Sequence, residues 1–189
     1  MLEFQFRSLA IGVRFSFFAV LLLMAELCRS DWGLWCAAAS ILHELGHFAA
    51  YAALGQVPKG LYFEAGGIRI VPPAGRLSPP GEAAVLLAGS GVNLAAGGLF
   101  CLLGSPYAGG FHLLLGLFNL LPLAQLDGGM LLALALDRFF PPRPAGMICG
   151  AVHWLCWGVL FGAGCLLFRR TGNFTLVFTI LCLTFPRGR

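Results

Sequence analysis

Apolar residues run through this chain in long stretches, at about 9–27, 32–54, 83–103, 110–136 and 147–168. At about 1.5 Å of rise per helical residue, each is long enough to cross roughly 30 Å of hydrocarbon. A last stretch, 174–185, is short for a full crossing. Between the second and third stretches, 56–81 is too polar and too rich in proline and glycine to span. Within it Leu61-Tyr62-Phe63-Glu64 and Ile68-Arg69-Ile70-Val71 alternate on either side of Ala65-Gly66-Gly67, the signature of a small β-hairpin. The pattern predicts an all-α integral membrane fold, with about six transmembrane helices and a hairpin region between the second and third. It also predicts a single domain over 1–189 with no appended soluble regulatory domain.

Polar residues inside these stretches refine the picture. Arg14 lies near the entry end of the first and can snorkel to that interface. Ser30 or Asp31 can cap the second helix, and Gly55 followed by Pro58 ends it. In the third, Gly89, Asn93 and Gly97 recur every four residues; small residues on one face let helices approach closely, and the asparagine needs a buried partner. In the fourth, Pro122 removes a backbone donor and Gly128-Gly129 weakens the helix, so the span is expected to break in mid-membrane. His112 and His153 lie in apolar surroundings without a motif and read as structural.

Composition agrees with a membrane protein: 59% of the 189 residues are hydrophobic and 11% charged, and the mean hydropathy is +0.86. Such a chain is too apolar for a soluble globular domain. The net charge of +4 is spread over loops and termini without a clustered patch, which argues against nucleic acid. The seven cysteines include no Cys-x-x-Cys pair and read as small membrane-compatible residues. With six crossings and a cytosolic N-terminus, Arg7, Lys59, Arg69, Arg76, Arg138, Arg143, Arg187 and Arg189 fall inside, and Arg29, Arg169 and Arg170 outside. That asymmetry predicts a site reached from the cytosol.

The candidate chemistry sits in the second stretch, as His43-Glu44-Leu45-Gly46-His47. Residues four apart share a helix face, so both imidazoles can address one ion while Glu44 lies near its open position. Ionisable groups at that depth are costly and mark working sites. Asp127, at the expected break, is a second intramembrane carboxylate whose natural partner is the ion held by His43 and His47. A metal-ion transporter would also put such residues in spanning helices, but it would need several alternating sites along a path. A non-catalytic scaffold of the same fold would have no need of Glu44.

His43-Glu44-Leu45-Gly46-His47, together with Asn119-Leu120-Leu121-Pro122 and Leu126-Asp127-Gly128-Gly129, resembles the site-2 protease family of intramembrane zinc metalloproteases. The likeness is greatest to the compact bacterial branch that processes a sporulation sigma-factor precursor. Gly89-Ser90-Gly91-Val92-Asn93 is similar to a third family motif, with Ser90 where a proline is usual, and Gly66-Gly67 resembles a glycine pair of the hairpin region. The resemblance implies that His43, His47 and Asp127 hold Zn2+, that Glu44 is the general base, and that Asn93 and Asn119 lie near the substrate or its oxyanion. It also implies a membrane-associated protein substrate, regulated intramembrane proteolysis under a membrane-protein regulator, and residence in a bacterial cell membrane.

Overall fold

Residues 2–6, 9–15, 32–64, 67–73, 75 and 77–184 are described by the computed structural model. They fall into two units, Met1–Phe118 and Asn119–Arg189.

In the first unit, β1 (Leu2–Phe6) and β2 (Leu9–Val13) form an antiparallel pair, and β2 runs parallel to β3 (Gly60–Glu64). β3 turns back on β4 (Gly67–Val71), giving a four-stranded sheet in the order β1-β2-β3-β4. The expected hairpin is therefore half of a larger sheet. The expected helix over 9–27 is corrected at its start: Leu9–Val13 is a strand, and 16–27 lies outside the described residues. The physical reason is visible at Gly12, which is paired with Tyr62. A Cβ there would come 2.5 Å from the Tyr62 ring, and one on Gly60 2.7 Å from its other edge. Two glycines thus make room for one aromatic side chain across the β2–β3 seam. Tyr62 also donates its hydroxyl to Glu3 Oε1 at 3.3 Å, tying β1 to the same residue.

Three helices complete the unit: α1 (Trp32–Ala53), α2 (Pro79–Leu102) and α3 (Pro106–Asn119), whose final residue begins the second unit. Ser78 caps α2 by accepting from the Gly81 amide, with prolines in the first turn, where their missing N–H groups cost nothing. α1 and α2 pack where both are glycine, since a Cβ on Gly46 would sit 2.7 Å from the Ala88 carbonyl oxygen. α2 and α3 close in the same way: a Cβ on Gly97 would meet Leu113 at 2.6 Å, and one on Gly116 would meet the Ser90 carbonyl at 3.1 Å.

The second unit holds the break 120–126, then α4 (Asp127–Phe139), α5 (Pro142–Thr171) and the short α6 (Thr175–Cys182). The stretch 110–136 is interrupted, as expected from Pro122 and Gly128-Gly129, with α3 ending at Asn119 and α4 beginning at Asp127. Gly128 and Gly129 lie in the first turn of α4, where Cβ atoms would collide with the carbonyls of Leu120 and Leu123. Their function is to let the irregular chain fold back against the new helix. His153 on α5 accepts the Ala124 amide at 3.2 Å through Nδ1, satisfying a backbone donor that the break exposes. α6 is pinned to α5 by Trp157, whose indole N–H donates to the Ile180 carbonyl and Thr184 Oγ1. Gly172, at φ 71°, closes α5. Among the described residues, α2 and α5 are long and apolar enough to cross a membrane.

Candidate metal centre

His43 and His47 are one turn apart on α1, and only 5% and 8% of their surface is exposed. Their rings meet edge to face, with centroids 4.6 Å apart and planes at 89°, and their Nε2 atoms are 3.1 Å from one another. His47 Nδ1 lies 2.7 Å from the Val85 carbonyl oxygen. A carbonyl can only accept, so Nδ1 carries a proton, and in the neutral ring this leaves the Nε2 lone pair facing His43. This is the outer-shell arrangement that fixes tautomer and ring orientation in metal-binding histidines.

Gly89 makes the arrangement possible. A Cβ at that position would lie 2.6 Å from His47 Nε2 and 2.9 Å from His43 Cε1, so α2 approaches both imidazoles closely only because residue 89 has no side chain. Glu44, beside His43 on α1, is partly buried.

The other sequence candidates are placed as follows. Asp127 is the first residue of α4, where the positive end of the helix dipole stabilises a carboxylate. Asn93 is fully buried on α2, and its Oδ1 accepts from His112 Nδ1 at 3.0 Å. His112 in turn stacks on Phe100, with centroids 5.3 Å apart. The asparagine's partner is thus a histidine of the next helix, and His112 is structural. Asn119 ends α3, and Gly67 opens β4 opposite Glu64. Gly66 lies outside the described residues.

Sequence reasoning missed Val85, since a backbone carbonyl leaves no mark on residue identity. It also missed the role of Gly46, whereas His153, read as structural, takes a backbone amide. Gly46 carried a signal, because a glycine inside a long helix lowers helix propensity and is kept for close packing.

With this geometry in view, the chain can be compared with solved structures. It is similar to the Site-2 Protease from Methanocaldococcus jannaschii, with a TM-score of 0.70 and 18% identity over 96% of this chain and 91% of that one. The two share a fold. No protein-family profile matches the sequence, and no curated protein does. At this identity the likeness is one of fold.

Proposed function

We propose that the protein is an intramembrane metalloprotease of the site-2 type, cutting a peptide bond in or near a transmembrane segment of a membrane-associated precursor. The observation that carries this reading is the buried His43–His47 pair, with Nε2 atoms 3.1 Å apart and Glu44 between them in sequence. Two imidazoles buried among apolar helices are a costly arrangement that a bound cation compensates.

The donor set fits zinc: two neutral imidazoles and a carboxylate, each offering one ligand atom, leave a coordination position open. As the site-2 protease resemblance implies, His43, His47 and Asp127 would hold the ion. Bound there, zinc supplies Lewis acidity, polarising the scissile carbonyl and lowering the pKa of a water molecule to about 7.

The protein's own groups do the rest. Glu44 accepts a proton from the attacking water and returns it to the leaving amine. Val85 holds His47 in its liganding tautomer through the carbonyl at 2.7 Å. The Asn119 amide donates to the developing oxyanion, with Asn93 as a second candidate whose Oδ1 is already committed to His112. The substrate lies extended, because a helix shields its own carbonyls, and it adds as a strand to the open edge of β4, which packs against α1. Gly66 and Gly67, the glycine pair that the resemblance singles out, belong to the same substrate-binding set.

The chain acts as one membrane domain with a cytosolic N-terminus, in a bacterial cell membrane. Its substrate resembles a sporulation sigma-factor precursor, and a second membrane protein governs access.

The test is reconstitution in liposomes with tagged single-span precursors, comparing the wild type with Glu44→Gln and measuring zinc in the same samples. Cleavage by the wild type alone, with equal zinc in both, is expected. Cleavage that persists in the variant removes Glu44 as base, and a zinc-free active enzyme ends the metalloprotease reading.

A further inference from the structure

Ser90 and Asn93 stand within one turn of each other on α2 and are 1% and 0% exposed. Asn93 Oδ1 is satisfied by His112. Asn93 Nδ2 and Ser90 Oγ are buried without a hydrogen-bond partner among the described residues.

The serine is the more telling of the two. A hydroxyl inside a helix ordinarily bonds the carbonyl four residues back, and this chain follows that habit elsewhere. Ser40 Oγ donates to Cys36 O at 2.9 Å, Thr171 Oγ1 to Leu167 O at 2.9 Å and Thr179 Oγ1 to Thr175 O at 2.9 Å. Ser90 has the same option and does not take it. Its hydroxyl and the Asn93 amide therefore present a donor-acceptor and a donor to one small region of the interior, the pairing that a buried water satisfies.

The place is specific. Gly89, next to Ser90, is where α2 touches both imidazoles, and the Ser90 carbonyl is where Gly116 of α3 packs. Four residues, about 6 Å of rise, separate Gly89 from Asn93.

We propose that Ser90 Oγ and Asn93 Nδ2 bind an ordered water molecule between α2 and its neighbours, and that this water is a station through which water reaches His43 and His47. The second half rests on the protease reading; the first does not.

Ser90→Ala separates the two. If the hydroxyl is a water ligand, its removal lowers the thermal unfolding midpoint in detergent. If the hydroxyl is an unpartnered polar group, its removal leaves the midpoint unchanged or raises it, and that result overturns the site. A high-resolution structure of the wild type in lipid is expected to show density about 2.7–3.2 Å from both atoms, and density near neither overturns it as well. For the relay, Ser90→Ala with full zinc content is expected to lose several-fold in kcat at unchanged KM. A lowered midpoint with unchanged kcat overturns the relay and leaves the water site standing. Because the midpoint is read without substrate, failure of the protease reading cannot be mistaken for failure of the water site.

Discussion

His43 Nε2 and His47 Nε2 face each other at 3.1 Å inside the first unit, with Val85 holding the second ring by its far nitrogen. Rings so placed share either one proton or one cation. His43→Ala and His47→Ala are each expected to lower zinc affinity by more than about 100-fold, beyond the usual cost of losing an outer-shell partner. Competition with a calibrated chelator checks this, and stoichiometric zinc in either variant would exclude that residue from the ligand set.

Asp127→Asn keeps size and hydrogen-bonding capacity while removing the charge. Weaker zinc binding, by about tenfold or more, is expected with the helical content unchanged. Circular dichroism and metal analysis on the same preparation separate loss of a ligand from loss of α4.

Glu44→Gln should retain zinc and lose about 10²–10⁴-fold in cleavage rate, the usual contribution of a positioned acid–base group. The measurement is single-turnover cleavage at matched zinc occupancy. A loss of less than about tenfold would reassign the base.

Gly128→Ala and Gly129→Ala drive a methyl into the backbone carbonyls of Leu120 and Leu123, which cannot swing aside as a side chain can. Each is expected to destabilise by about 1–3 kcal/mol, read as a lowered unfolding midpoint. Gly158→Ala on α5 is the control, because a Cβ there meets nothing within 4 Å. It should be neutral or stabilising by up to about 1 kcal/mol.

Asn93→Leu strands the buried His112 imidazole. A cost of about 1–3 kcal/mol is expected, and pairing it with His112→Leu should recover part of that loss in a double-mutant cycle. Strict additivity would show that the 3.0 Å contact contributes nothing.

How much of this was legible in the residues differs by element. The hairpin was, because alternation around a glycine turn has a period of its own, and β3 and β4 fall where it predicted. The four-residue spacing of His43 and His47 also fixed their shared face. Leu9–Val13 was not legible: a short apolar run reads alike as helix or buried strand, and its deciding partner is some fifty positions on, at Gly60–Phe63. The break near Pro122 was foreseen, but Gly128 and Gly129 were misread as weak helix. Their use depends on carbonyls that only the folded chain brings near. His153 carried no signal, since its partner is a backbone amide.

The parallel pairing of β2 with β3 sets an order of events during synthesis. Ala10 cannot meet Gly60 until α1 has been made and set in place between them. Parallel pairing over such a separation is intrinsically slow, whereas β1 and β2 are neighbours in sequence and can pair at once. The histidine-bearing helix is therefore delivered before the sheet beside it is finished. Until residues 60–64 arrive, the exposed side of β2 is itself an unsatisfied strand edge, and the newborn chain must be kept from pairing there with another copy of itself.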